Sequence, residues 1–331
     1  MRSFTYVSAR DVRGALEAVA GDGDAKFLGG GTNLVDLMRE GIETPGTVVD
    51  VSRLPLTGVE ELPGGGIRIG ALVRNSRLAA HPVIRARYPV LAHAILHGAS
   101  AQLRNMATVG GNLMQRTRCL YFYDDASPCN KRVPGSGCGA MDGFARSTAV
   151  LGVSEHCIAT HPSDMAVALA MLDAVVEVES TRGIRRIPIA EFPLLPGDTP
   201  HRETALEPDE LITAVELPPV EVARNSRYRK VRDRASYAFA LVSVAAALRV
   251  EDGVIVEARL ALGGVGTKPW RATEAERLLP GRPATDETFA RAAEAELSAA
   301  VTRPSNAFKV GLANRTIVAT LRRLATEGGA A

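Results

Sequence analysis

All four cysteines of this chain fall within one stretch of 39 residues, although the whole sequence has 331. They stand at Cys119, Cys129, Cys138 and Cys157, with nine, eight and eighteen residues between successive members. Because these intervals are long, a site built from all four thiols would require the segment to fold back on itself. Four thiolates are the complete ligand set of a [4Fe–4S] cluster, which makes such a cluster the first hypothesis for this segment.

Three other interpretations of the cysteines stay open from the residues alone. Zinc also accepts four thiolates, but structural zinc sites favour cysteine pairs about two to four residues apart, and this segment contains none. Two disulfides would permit three connectivities, yet a chain of this length does not need them, and four unrelated buried thiols are the remaining alternative. An iron–sulfur centre is an anion, so it is favoured by the nearby cations Arg116, Arg118, Lys131 and Arg132. It is also favoured by Gly135, Gly137 and Gly139, because glycines let backbone N–H groups approach sulfur closely.

The composition argues against several classes of protein. The formal net charge is +2 and basic and acidic residues are interleaved, a pattern that lacks the basic footprint of nucleic-acid-binding proteins. No apolar run approaches the roughly 20 residues that a membrane-spanning helix requires. The sequence starts without a charged-then-apolar leader. We therefore expect the chain to fold in the cytoplasm, and to reach the periplasm only by co-export with a partner that carries a signal.

The last third of the chain differs in pattern from the rest. It predicts three strands and then three helices, at 227–231, 240–250, 254–262, 272–279, 286–301 and 306–325. This order is typical of an antiparallel sheet covered by helices, and hence of an α+β fold with a separate C-terminal domain. The preceding segment, 193–219, is rich in proline and acidic residues and is interpreted as a connection that wraps one domain. Further upstream, Asp11 and Ser163 are predicted to cap helices.

Two glycine-rich turns carry the functional signal outside the cysteines. The first, Gly-Gly-Gly-Thr-Asn at 29–33, follows a predicted strand and precedes a helix. Consecutive glycine N–H groups before a helix are typical of a phosphate-binding turn, although the third glycine of a Gly-x-Gly-x-x-Gly fingerprint is missing. The second turn, Thr-Val-Gly-Gly-Asn at 108–112, is similar. Together they indicate a diphosphate held from two sides, and a dinucleotide beside a redox cluster is most simply a flavin.

At this point the sequence resembles a known family. The stretches 26–34 and 104–113 are similar to the two FAD-binding stretches of the molybdenum hydroxylase flavoproteins, the xanthine dehydrogenase family. The resemblance covers essentially the whole chain. The insert from 116 to 165 is similar to that of the FAD-binding medium subunit of heterotrimeric bacterial aldehyde oxidoreductases of the periplasmic type, in which four such cysteines hold a [4Fe–4S] cluster. The flavin subunit of hydroxybenzoyl-CoA reductase has a comparable insert with a different cysteine spacing.

The resemblance implies an α+β fold and a division into domains. A PCMH-type FAD-binding domain of two α/β subdomains would occupy residues 1–220, with a [4Fe–4S]-binding insert at 115–163. A C-terminal domain of the carbon monoxide dehydrogenase flavoprotein type would follow at 221–331, with a three-stranded antiparallel sheet and helices.

The resemblance also implies site residues. Asp164 corresponds to the family aspartate that contacts the FAD ribose, and Lys230 to the lysine near the flavin ring, where a cation favours reduced flavin. The four cysteines would ligate the cluster. No residue of this chain is expected to be catalytic, and the six histidines are interpreted as structural or surface residues, with only His156 expected to sense the cluster. The remaining implied FAD contacts are Lys26, Phe27, Leu28, Gly29, Gly30, Gly31, Thr32, Asn33, Leu34, Thr108, Gly111 and Asn112.

The implied function is electron transfer within a molybdenum-dependent aldehyde oxidoreductase. A large molybdenum-cofactor subunit and a small [2Fe–2S] subunit would be the partners, and FAD would pass their electrons to an external acceptor. The alternatives are a flavin subunit of a hydroxybenzoyl-CoA reductase-like or xanthine dehydrogenase-like enzyme, and a stand-alone binding protein with structural zinc. Neither nucleic acid nor a membrane span is expected.

Overall fold

The computed structural model describes residues 1–328. The strands are β1 (Thr5–Ser8), β2 (Ala25–Leu28), β3 (Thr47–Asp50), β4 (Val59–Glu61), β5 (Ile67–Gly70), β6 (Val175–Ser180), β7 (Gly183–Pro188), β8 (Leu211–Leu217), β9 (Ser226–Val231), β10 (Val242–Glu251), β11 (Val254–Gly263) and β12 (Trp270–Arg271). The helices are α1 (Val12–Val19), α2 (Leu34–Arg39), α3 (Asn75–Ala80), α4 (Pro82–Arg87), α5 (Pro89–His97), α6 (Ala101–Met106), α7 (Val109–Leu113), α8 (Leu120–Tyr123), α9 (Asp164–Met171), α10 (Thr273–Leu278), α11 (Asp286–Leu297) and α12 (Phe308–Gly328), with a 3₁₀ turn at Glu221–Arg224.

The N-terminal part is a parallel three-stranded sheet in the order β1-β3-β2. Helix α1 connects β1 to β2, and Asp11 caps it as predicted by accepting a 2.7 Å hydrogen bond from the backbone N–H of Gly14. The apolar residues of α1 recur every three or four positions, so that Ala15, Leu16 and Val19 are buried on one face. The end of β2 therefore lies in a fixed position, from which the first glycine turn starts.

An antiparallel five-stranded sheet follows, in the order β4-β5-β8-β6-β7. Its central strand is β8, which is buried at every position. The interpretation of 193–219 as a connection throughout is wrong for this reason. A strand buried on both faces loses the apolar–polar alternation by which strands are recognised, and the buried Glu216 of β8 is paired with Arg186 of β7.

Helices cover this sheet and build the largest core of the molecule. Helix α9 is buried along its whole length, and Ser163 caps it as predicted by accepting a 2.9 Å hydrogen bond from the N–H of Ala166. Helix α5 contributes five buried residues to the same core. None of the helices within residues 1–328 combines the length and the hydropathy that crossing a membrane requires.

The C-terminal sheet is antiparallel, in the order β12-β11-β10-β9. The three strands predicted from the sequence are β9, β10 and β11, and the two-residue β12 adds a short fourth strand at the edge. Helices α10, α11 and α12 bury a second core against one face of this sheet. The other face of β10 and β11 contributes Ala245, Ala247 and Ala261 to the core around α9. The sheet therefore joins both cores.

Residues 115–163, here called the cysteine segment, contain the short helix α8 and otherwise turns. The end of this segment is attached to the C-terminal part of the chain. The buried Lys309 of α12 donates from Nζ to the carbonyl oxygens of Thr148 (2.8 Å) and Gly264 (2.6 Å). The amide group of Asn306 donates to Thr148 Oγ1 (3.0 Å), and the N–H groups of 150 and 151 bond to the carbonyl of Val265. The cysteine segment therefore has a defined position relative to β11.

The buried Lys309 generates a prediction about stability and pH. Burial lowers its pKa from 10.5 to about 7, and the nearby Arg146 adds to the effect. Between those pH values the unfolded chain binds more protons at this site than the folded chain, so stability rises with pH across the interval. We expect Lys309→Met to remove this contribution and to flatten the pH dependence of the free energy of unfolding by roughly 1.4 kcal/mol per pH unit. Urea denaturation of both proteins at several pH values inside the interval measures the difference, and parallel curves would contradict the assignment.

Candidate functional site

The two glycine turns predicted from the sequence lie against each other. A Cβ atom on Gly30 would collide with the backbone carbonyl of Met106, which ends α6 two residues before the second turn. A Cβ on Gly29 would lie 3.1 Å from Thr108 Oγ1. Gly31 has a φ of +74°, a left-handed conformation that favours glycine. Gly30 is therefore required by close packing and Gly31 is favoured by backbone geometry, whereas Gly29 has little space for a side chain.

The first turn leaves its backbone donors free. In the part of the chain that the structure describes, the N–H groups of residues 30–33 donate no hydrogen bond. The side-chain nitrogen of Asn33 is buried and likewise has no partner among the described residues, while Asn33 Oδ1 accepts a 2.8 Å bond from the N–H of Arg116. Successive unpaired N–H groups in a tight turn form an anion-binding concavity. This turn fits the diphosphate of a dinucleotide.

The second turn is bonded differently. Its glycines lie in the short helix α7, which Thr108 caps by accepting a 3.2 Å hydrogen bond from the N–H of Gly111. The N–H of Gly110 bonds to the carbonyl of Ala71 at 2.8 Å. Asn112 Oδ1 accepts a 2.6 Å bond from the hydroxyl of Ser163, the residue that caps α9. The second turn thus supports the first turn and connects it to α9, and fewer of its N–H groups are free.

A cavity of about 220 Å³ lies next to α9. Three parts of the chain line it: the cysteine segment, the start of α9, and residues 233–243 with the turn after β11. His161 is among the lining residues, and burial lowers its pKa to about 4, so it is neutral near pH 7. Its Nδ1 accepts a 3.3 Å bond from the N–H of Ser163, which leaves the proton on Nε2. From the sequence, His161 is interpreted as structural because the histidines have no ligand-like spacing. The predicted helix cap Ser163, two residues later, is the one sequence signal near this part of the cavity wall.

Asp164 and Lys230, both implied by the family resemblance, form a buried ion pair. The ammonium of Lys230 lies 2.7 Å from Asp164 Oδ2, and the side chains are 1% and 9% exposed. The hydroxyl of Tyr228 donates to Asp164 Oδ1 at 2.5 Å, and burial, with Asp164 next to it, raises the pKa of Tyr228 well above its usual value. This cluster joins α9 to β9. Asp164 lines the cavity, whereas Lys230 is not among the lining residues.

The four cysteines come together in one region and are all free thiols. Cys129 and Cys138 face each other in an antiparallel bridge. Cys119 packs with Cys129 in one small apolar cluster and with Cys138 in another. Burial raises the pKa of Cys157 to about 11, and the thiols of Cys138 and Cys119 are close enough to contribute. The long intervals in the sequence are thus closed by folding of the segment.

The thiols are nevertheless not grouped around a point where a single metal ion could bind. Within residues 1–328, no group of three or more histidine, cysteine, aspartate or glutamate side chains is positioned to hold a metal ion. The donor chemistry suits an iron–sulfur cluster or zinc, but a single zinc ion would require the side chains to reorient. The structure therefore supports the proximity of the thiols and leaves the [4Fe–4S] cluster as a proposal.

The cations near the cysteines have partners that the sequence argument did not anticipate. Arg116 is paired with Glu43 (2.5 Å) and Glu203 (2.6 Å), and Lys131 lies 3.4 Å from Glu203. These carboxylates come from distant parts of the chain. The proximity of Lys131 and Arg116 lowers the pKa of Glu203 against the opposing effect of its burial. The local excess of positive charge is therefore smaller than the composition of the segment indicates.

Fold and site together describe an α+β protein with an anion-binding glycine turn and a cysteine segment that lines a cavity beside α9. The family model named FAD binding domain in molybdopterin dehydrogenase matches residues 2–220, and the CO dehydrogenase flavoprotein C-terminal domain matches residues 226–324. The chain therefore belongs to the FAD-binding flavoproteins of the molybdopterin dehydrogenases, which are oxidoreductase subunits. The expected fold class is confirmed.

Individual relatives agree with this assignment. The aldehyde oxidoreductase FAD-binding subunit PaoB of Escherichia coli (strain K12) is 54% identical over 324 residues, which cover 97% of this chain and 98% of that protein. The glyceraldehyde dehydrogenase medium chain of Sulfolobus acidocaldarius is 27% identical, with coverages of 86% and 83%. The structure of quinoline 2-oxidoreductase from Pseudomonas putida 86 superimposes with a TM-score of 0.77 at 24% identity, over 99% of this chain and 98% of that one, and shows the shared fold.

The contact between the glycine turns predicts the effect of one added methyl group. In Gly30→Ala, the Cβ would overlap the backbone of Met106, which cannot move away by a side-chain rotation. We expect a destabilisation of about 1–3 kcal/mol and loss of bound FAD. Gly23→Ala is the matched control, because a Cβ there meets no atom within 4 Å. Denaturant unfolding and FAD content of the two variants test the prediction, and equal FAD retention would show that the turns separate without cost.

Proposed function

We propose that this chain is the FAD-binding, electron-transferring subunit of a molybdenum-dependent aldehyde oxidoreductase. The observation that carries the proposal is the 54% identity with an aldehyde oxidoreductase FAD-binding subunit along nearly the whole of both chains. Relatives named for xanthine and carbon monoxide dehydrogenases are only 26% and 25% identical. The likeness is therefore much stronger to the aldehyde enzyme.

In this role the chain binds and shields a cofactor. The free N–H groups of residues 30–33 would hold the FAD diphosphate, with the 108–112 turn behind them. Asp164 would contact the ribose, and Lys26, Phe27, Leu28 and Leu34 would complete the wall around the first turn. FAD, when bound, accepts electrons and releases them as a pair. The protein contributes position, exclusion of water and fixed charge.

We propose that Cys119, Cys129, Cys138 and Cys157 hold a [4Fe–4S] cluster. Support comes from four free thiols gathered within one segment that is attached to the cavity-forming part of the fold. Ligation requires each thiol to lose its proton. The cysteine segment would then form an insert at 115–163 within a FAD-binding domain of residues 1–220, followed by a C-terminal domain at 221–331.

The proposed partners are a large subunit with the molybdenum cofactor and a small subunit with [2Fe–2S] clusters. Relatives are named as medium chains or as FAD-binding subunits, which supports a multi-subunit assembly. This subunit would take electrons from those partners and pass them to an external acceptor. Oxidation of the aldehyde itself would take place in the large subunit.

Aldehyde-dependent reduction of the flavin tests the function. The chain is purified as a complex with the proposed large and small subunits, and an aldehyde is added in the absence of oxygen. We expect the flavin absorbance to bleach, and the chain alone to keep its flavin oxidised, because the aldehyde site lies on a partner. Xanthine is the matched control substrate. A complex without flavin, or one bleached by xanthine and not by the aldehyde, would refute the proposal.

Iron content tests the cluster separately. We expect the wild-type chain, purified without oxygen, to carry about four iron atoms, and Cys129→Ser to lose them. Val133→Ser is the matched control, because Val133 is an exposed residue of the same segment. The FAD content of all three proteins is measured in parallel. Iron-free wild-type protein that retains FAD would reject the cluster and leave the flavoprotein assignment intact.

A further inference from the structure

The cysteine segment contacts the first glycine turn directly through Arg116. The backbone N–H of Arg116 donates a 2.8 Å hydrogen bond to Oδ1 of Asn33, the last residue of that turn. Because an N–H group needs an acceptor, this bond determines which way the amide group of Asn33 points. Nδ2 of Asn33 is buried and has no partner among residues 1–328. The orientation of a free donor in the turn is therefore fixed by the backbone of the cysteine segment.

The side chain of Arg116 holds the segment in this position. Its guanidinium pairs with Glu43 (2.5 Å) and Glu203 (2.6 Å), and the three side chains are between 16% and 22% exposed. Exposed ion pairs contribute little because water screens them, whereas these pairs are largely shielded from solvent. Glu43 follows α2, and its N–H bonds to the carbonyl of Leu37 within that helix. Arg116 thus contacts the chain on both sides of α2, at Asn33 before the helix and at Glu43 after it.

Apolar packing joins the same two parts of the chain. Leu37 of α2 is 2% exposed and packs in one cluster with Phe122 and Cys129. Cys119 contacts this cluster as a partly buried member. The helix that starts at the first glycine turn therefore rests on two of the cysteines. A shift of the cysteine segment would move α2, and with it the free N–H groups of residues 30–33.

Arg132 offers a comparison, because the hydrogen bonds of its guanidinium stay inside the cysteine segment. It donates to the backbone carbonyls of four residues of the segment, among them Tyr121 (2.9 Å) and Phe122 (2.8 Å). Arg132 therefore stabilises the segment itself, whereas Arg116 connects the segment to the turn. Replacing one or the other arginine separates these two effects.

We propose that Arg116 is a positioning residue that couples the order of the cysteine segment to the affinity of the first glycine turn for FAD. This inference rests on the proposed function as a flavoprotein subunit. An ordered segment presents the donors of residues 30–33 in one arrangement, so less ordering is required when the diphosphate binds. Such coupling is reciprocal: displacement of the segment lowers the affinity for FAD, and bound FAD stabilises the segment. The chemical state of the thiols therefore influences how tightly the flavin is held.

Hydrogen exchange of the cysteine segment measures this coupling. The full chain is studied as wild type, Arg116→Met and Arg132→Met, before and after FAD is added to the flavin-free protein. The amides of α11 report the general stabilisation that any bound ligand provides. In wild type and Arg132→Met, we expect FAD to slow exchange in residues 116–133 about fivefold more than in α11, and in Arg116→Met by no more than in α11. Arg116→Met should also raise the dissociation constant for FAD about fivefold, as measured by the change in flavin fluorescence on binding.

The outcomes separate coupling from a general structural role. Equal FAD-dependent protection of the segment in wild type and Arg116→Met overturns the proposal, even if exchange in the variant is faster throughout. A wild type in which FAD gives the segment no added protection overturns it as well.

A second pair of variants keeps the test decisive if Arg116→Met does not fold. Glu43→Gln removes one charged partner of Arg116, and Glu40→Gln is the matched control, because Glu40 is exposed and lies three residues away. A higher dissociation constant for FAD in Glu43→Gln than in Glu40→Gln supports the proposal, and equal constants overturn it. A wild-type chain that does not bind FAD refutes the proposed function instead.

Discussion

Direct backbone contact between two distant parts of the chain shapes the turn in which we propose that a dinucleotide binds. Gly30 lies against the carbonyl of Met106 with no room for a side chain between them. Because both partners are backbone, neither side can relax by changing a rotamer. The contact fixes the 30–33 turn in a form whose N–H groups are unpaired within the described chain. Packing thus leaves the N–H groups of this turn without backbone acceptors, so that they are available to bind an anion.

The elements that the sequence predicts correctly are those encoded locally. The caps of Asp11 and Ser163 depend on a side chain and an N–H group three residues later, and the glycine turns depend on consecutive residues. The central strand Leu211–Leu217 was missed because its burial on both faces depends on neighbours from remote parts of the chain. Local rules contain no information about those neighbours.

The candidate site divides in the same way. Residue types and spacing identified the glycine turns and the cysteines. They did not identify the carboxylates that pair with the cations near the cysteines. Glu203 lies far from the cysteines in sequence, yet it pairs with Arg116 and Lys131. An argument from composition counts those cations as free to balance an anionic cluster, whereas in the fold they are shared with carboxylates. Arg118, with one half-exposed carboxylate, is the least compensated of the three.

The Asp164 cluster shows how one side chain serves both fold and site. Its two oxygens accept from Tyr228 and Lys230, which fixes β9 against the start of α9. Loss of Lys230 would leave the buried carboxylate without its counter-charge, which is strongly destabilising. A carboxylate has about four lone-pair positions, so two remain available to a ligand in the adjacent cavity that Asp164 lines. The buried pair therefore does not compete with the binding role that the family resemblance implies. It holds the carboxylate at the cavity wall in a single orientation, so that less ordering is required when the ligand binds.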